Sequence, residues 1–78
     1  MEKVIIWKRM AEAYCNSKLP VYIRDVADNF YFGYLEYQPG DDKVTIKCFA
    51  PKQRKGLTIE LVFDEIIVFK KHEVRNAS

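Results

Sequence analysis

The chain reads as mainly β: an N-terminal α-helix followed by a five-stranded, strongly bent antiparallel barrel. Three observations predict it. Between Leu19 and Lys71 short apolar runs alternate with period two and are broken by turn residues, the pattern of half-buried strands. A single glycine, Gly33, interrupts the aromatic run from Phe30 to Tyr37. Ahead of both, Met1 to Cys15 carries apolar residues at helical spacing.

A chain of 78 residues supports one domain, 1–78. At this size roughly 60% of the unfolded surface is buried, so the margin of stability is thin. A content of 49% hydrophobic and 31% charged residues excludes a disordered chain. Five Tyr and five Phe are more than so small a core holds. Exposed aromatic surface is therefore expected, as a subunit contact or a stacking platform. The net charge of +2, from 13 basic and 11 acidic side chains, does not by itself announce a polyanionic partner, so placement decides. No apolar stretch approaches the roughly 20 residues that span a bilayer. The start Met1-Glu2-Lys3-Val4 lacks a secretory layout, which leads to a cytoplasmic expectation. Cys15 and Cys48 lack the paired spacing of a zinc or redox motif and are expected as two reduced thiols.

The helix, about residues 2–15, aligns Val4, Trp7, Ala11 and Tyr14 on one stripe, widened by Ile6, Met10 and Ala13. Its polar face mixes Lys3, Lys8, Arg9 and Glu12, short of the basic pattern of a membrane-surface helix, so it is expected to lie on the barrel. Asn16-Ser17-Lys18 breaks it and Pro20 prevents its resumption. The barrel, about residues 19–71, begins with Leu19, Val21 and Ile23 on one face and Tyr22 and Arg24 on the other. Asp25 to Asn29 supplies turn chemistry. In the second run Tyr31, Gly33, Leu35 and Tyr37 oppose Phe30, Phe32, Tyr34 and Glu36. Both faces are apolar, which predicts a strand covered on both sides. A glycine among such large side chains marks a bend or a close backbone contact.

Gln38-Pro39-Gly40-Asp41-Asp42 is a turn, and the third run alternates Val44, Ile46 and Cys48 with Thr45, Lys47 and Phe49. Lys52-Gln53-Arg54-Lys55-Gly56 reads as an exposed basic loop. Leu57 to Phe63 and Glu65 to Lys70 form the last two runs, so closely spaced that they are either a tight reversal or one strand bent at Phe63-Asp64. Residues 72–78 read as a polar tail.

A helix, five short strands, a glycine bend in the second and a near-continuous fourth and fifth resemble the Sm-like family, which includes the LSm proteins and Hfq. Lys18-Leu19-Pro20-Val21-Tyr22-Ile23 is similar to its approach to the first strand, Tyr31-x-Gly33-x-Leu35 to its bent second strand, and Ile59 to Phe69 to its paired final strands. The resemblance implies a non-catalytic, RNA-binding protein acting as a homo-oligomer, with the last two strands facing neighbouring subunits through Val62, Phe63, Ile67 and Phe69. The chain departs from the family's uridine pocket: Asp25-Val26-Ala27-Asp28-Asn29 replaces a short glycine turn, Val44-Thr45 stands where Met-Asn is usual, and Phe63-Asp64 replaces Arg-Gly. The order of helix, Cys, Leu-Pro-Val strand, glycine bend and Val62-Phe63-Asp64-Glu65-Ile66-Ile67 is also similar to Rof-type Sm-like proteins, which bind the termination factor Rho. That likeness implies a protein-interaction module engaging its partner through the barrel edge or the Asp64-Glu65 turn, without direct RNA binding.

Lys52, Arg54 and Lys55 are the candidate phosphate contacts, extended by Lys43 and Lys47, with Tyr37 and Phe49 as candidate stacking residues. Asp41-Asp42 and Asp64-Glu65 sit in turns, and no Ser/His/Asp, Cys/His or metal-spaced set accompanies them. His72 is the sole histidine. The chain is therefore expected not to be an enzyme and to need no metal or cofactor.

Overall fold

The computed structural model describes residues 2–72. Helix α1 (Glu2–Asn16) leads into strands β1 (Pro20–Asp25), β2 (Phe30–Glu36), β3 (Lys43–Ala50), β4 (Thr58–Val62) and β5 (Ile66–Lys71). Single 3-10 turns occupy Lys52–Arg54 and Phe63–Glu65. The helix stops where Lys18 takes a left-handed φ of 53°, which lets the Leu19 amide close back on the Tyr14 carbonyl at 3.0 Å. Of the tail expected over 72–78, residues from 73 onward lie outside the described residues, whereas the His72 amide donates to the Pro20 carbonyl at 2.9 Å and is tied to the sheet.

All five strands form one antiparallel sheet in the order β4-β3-β2-β1-β5. The predicted fold class is seen, with one correction: the sheet does not close into a barrel. The 3-10 turn after Val62 carries the chain from one end of the sheet order to the other. The outer edges of β4 and β5 therefore take part in no ladder among the described residues.

Burial follows the alternation. Val21, Ile23, Tyr31, Leu35, Val44, Ile46, Cys48 and Leu61 are buried on the inner face, joined by Phe63, Ile66 and Phe69. Helix α1 covers that face: Ala11 is fully buried, and Trp7 and Tyr14 pack on Phe69 with ring centroids 5.6 and 5.8 Å apart. The Trp7 indole N–H also donates to the Ile66 carbonyl at 3.2 Å, fixing the helix to the start of β5. Phe63 and Phe69, expected at a subunit contact, are thus core residues at 1% and 3% exposure. Val62 is half-buried and Ile67 is exposed.

The second correction concerns β2. Its outer face is not covered, since Phe30 and Tyr34 are 44% and 46% exposed. Gly33 behaves as a close-contact glycine: the register of β2 on β3 shifts between Phe32 and Gly33, and the β3 backbone fills the space a side chain would need.

The β1–β2 turn is built around one buried carboxylate. Asp25 accepts the amides of Ala27 and Asn29 at 2.9 and 3.0 Å and the Tyr31 hydroxyl at 2.9 Å. Asp28 takes the left-handed conformation, φ 70°, that Asp tolerates. Burial, and then the bond to Asp25, hold the Tyr31 phenol above its ordinary range. A raised phenol contributes stability that is fully present below the unfolded-state value near pH 10 and is lost as pH rises through the folded-state value. Tyr31→Phe leaves one Asp25 oxygen without its partner and is expected to cost about 1–3 kcal/mol. In urea titrations the gap between wild type and variant should be constant below about pH 10 and narrow above it; a gap that widens there contradicts this role.

Candidate nucleic-acid interface

The outer face of the sheet brings together side chains from three strands and from His72, just past β5. Tyr22 on β1 packs on Phe32 of β2, centroids 4.9 Å apart, and Phe32 packs on His72 at 4.9 Å. His72 meets Phe49 of β3 at 5.9 Å, and Phe49 meets Tyr34 at 5.6 Å. Phe30 joins the row edge-on against Phe32 at 6.0 Å. Strand register explains the assembly: Tyr22 lies opposite Phe32 in the β1–β2 ladder, and alternation turns both away from the helix-covered core. The rings tilt against one another at 39–77°, forming one continuous aromatic surface.

Cations flank this surface at two ends. On β5, Lys70 lies opposite Tyr22 and holds its ammonium 5.5 Å from the Tyr22 ring centroid. Beyond Phe30, the 3-10 turn carries exposed Lys52 and is followed by exposed Lys55, and Gln53 and Arg54 border a notch of about 340 Å³ with Asp28, Asn29 and Phe30. None of Lys52, Lys55, Lys70 and Lys71 forms a salt bridge among the described residues.

The other predicted phosphate contacts are engaged within the chain. Arg54 donates to the Asn29 side-chain carbonyl at 3.1 Å and lies 4.8 Å over the Tyr31 ring, locking the basic turn to the β1–β2 turn. Lys47 pairs with Glu36 at 2.8 Å, and that hydrogen bond first, then the attraction of the carboxylate, raises its ammonium above the ordinary lysine range. Lys43 pairs with Glu60 at 3.4 Å. Both pairs are exposed and hold little energy. Of the two predicted stacking residues, Phe49 belongs to the aromatic row. Tyr37 instead packs edge-on against core Phe63 at 5.5 Å.

Tyr22, Phe30, Phe32, Tyr34, Lys70 and His72 were not among the predicted site residues. The signal that marks them is the apolar outer register of β2 together with its cross-strand partner Tyr22.

The remaining candidates lie apart from this face. Cys15 and Cys48 are free thiols, and burial pushes the Cys48 thiol up from its ordinary value. Among the described residues no three His, Cys, Asp or Glu side chains gather where they could hold a metal. No described helix is long and apolar enough to cross a membrane. Comparison with protein-family models, curated proteins and solved structures finds no match to the chain.

Proposed function

We propose that the protein is a non-catalytic, Sm-like module that binds single-stranded RNA on the outer face of its sheet and acts in the cytoplasm. The observation that carries this reading is the continuous row Tyr22, Phe32, His72, Phe49 and Tyr34 on the side of the sheet away from the helix, with Tyr34 exposed and the other rings half-buried. Stacking of unpaired bases on aromatic rings is worth about 1–3 kcal/mol per base and needs no particular sequence. Lys70, held over the Tyr22 ring, borders the row where a bound strand would carry its phosphates, and the exposed Lys52 and Lys55 of the basic turn would extend that track. Lys43 and Lys47 would first have to leave their exposed partners Glu60 and Glu36, and Arg54 is held on Asn29 and Tyr31, so these three are secondary contacts in this reading.

The test is a titration of an eight-residue oligouridylate at 50 and 200 mM salt. Three or four phosphate contacts predict a loss of affinity of roughly 20- to 50-fold between these conditions, from a salt slope near −0.7 per contact. The pair Lys52→Glu and Lys55→Glu, which leaves the Arg54 anchor intact, is expected to weaken binding and flatten the slope by about 1.4. Absence of binding at 50 mM overturns the reading.

The free edges of β4 and β5 favour a second reading, in which the partner is protein. An unpaired edge is a template for another strand, and exposed Leu57 and Ile67 lie at or beside these edges. Self-association would use the same edges and would stabilise so small a domain by mass action. Light scattering that reports a monomer at micromolar concentration removes the self-associating form.

A further inference from the structure

Resting on the reading of the outer face as an RNA surface, we infer that its β5 end is a pocket for a terminal phosphate monoester, the charged end of the bound strand. An open pocket of about 620 Å³ lies here, lined by Tyr22, Phe32, Lys70, Lys71 and His72. Two of these residues supply aromatic walls and three supply basic groups, and among the described residues no carboxylate lines the pocket. Elsewhere on the outer face lysine charge is neutralised by a neighbour, as in Lys47–Glu36 and Lys43–Glu60. Lys70 is held by an aromatic face, which positions its ammonium without neutralising it.

Position and charge together select an end over an internal linkage. β5 is the last strand in the sheet order, and among the described residues no further strand continues the surface past Lys70. A chain stacked along the row from Tyr34 to Tyr22 therefore reaches the pocket at its end. A phosphate monoester carries about −1.5 to −2 charges at pH 7, against one for an internal diester, and three free oxygens. Two lysines lining one pocket would distinguish these two species better than a single lysine. The His72 ring, packed between Phe32 and Phe49 with its own amide on the Pro20 carbonyl, is fixed at the pocket wall.

The pocket is agnostic to chain polarity, so both ends are tested. Three oligouridylates of eight residues, with a 5′-phosphate, a 3′-phosphate or hydroxyls at both ends, are titrated into the intact protein and into Lys70→Met. The variant keeps an apolar stem over Tyr22 and removes the charge. One phosphorylated oligomer is expected to bind about tenfold more tightly than the hydroxyl form, the size of one added charge-assisted contact. That advantage should fall below about threefold in Lys70→Met, while the hydroxyl oligomer loses only the single backbone phosphate contact Lys70 gives every strand, a smaller drop than that of the phosphorylated oligomer. Equal affinity of all three oligomers, or an advantage that survives in Lys70→Met, overturns the end pocket and leaves the stacking face standing. Failure of all three to bind overturns the stacking face as well.

Discussion

Gly33→Ala is expected to lower the free energy of unfolding by about 3 kcal/mol or more. A Cβ built at this position lies 2.1 Å from the Lys47 carbonyl oxygen, 2.7 Å from its carbon and 3.0 Å from the Cys48 Cα. All three are backbone atoms of β3, so no rotamer change relieves the overlap. The ladder must open where the β2–β3 register already shifts. A domain of this length has roughly 4–12 kcal/mol of total stability at typical values per residue, so the loss takes a large share of it. Gly40→Ala is the matched control: open space surrounds it, and only its φ of 97° resists a side chain, at a cost of about 1 kcal/mol. Urea unfolding followed by circular dichroism separates the two. A Gly33→Ala midpoint at or above that of Gly40→Ala contradicts the close-approach account.

The second large effect is on binding. Replacing Phe30 and Tyr34 together by Thr is expected to weaken oligouridylate binding about 30-fold or more, at 1–3 kcal/mol for each lost stacking ring. Both rings are nearly half exposed, and Thr suits a strand, so the sheet should keep its stability within about 1 kcal/mol. Phe30→Tyr with Tyr34→Phe retains both π faces and should bind as wild type does. If the Thr pair binds within threefold of wild type while its spectrum is unchanged, the aromatic row is not the platform.

Much of this arrangement was legible in the sequence because strand alternation survives packing. Val21 and Ile23, Tyr31 and Leu35, Val44, Ile46 and Cys48 all face inward as period two requires. Gly33 announced its own constraint, since glycine among five aromatic neighbours has no packing value of its own. The last strand was less readable for a local reason. The β1–β5 register shifts between Arg24 and Asp25, so Ile66 and Phe69, three residues apart, both point inward while Ile67 does not. Alternation cannot anticipate a bulge, and Phe63 and Phe69 were expected at a subunit contact from the likeness to Sm-like final strands, which says nothing of the helix that covers them. Closure is what bends at Gly33 and near Phe63 lead one to expect, yet a bend says how the chain turns and not whether the outer strands pair.

The site was half legible. The basic turn was found, but sequence does not reveal that Arg54 is committed to Asn29 and Tyr31, or that Lys43 and Lys47 meet carboxylates across their strands. The apolar outer register of β2 was visible as well. Its hydrophobicity predicts a second buried face, because apolar composition alone does not distinguish a covered face from an exposed one.

Aromatic-detected NMR during an oligouridylate titration tests the central claim most directly. The account predicts that ring resonances of Tyr22, Phe32, Tyr34 and Phe49 move together along one binding isotherm, while core rings such as Phe63 stay unmoved. Perturbations confined to the Lys52–Gly56 turn or to the β4 and β5 edges, with the outer-face rings silent, would contradict it.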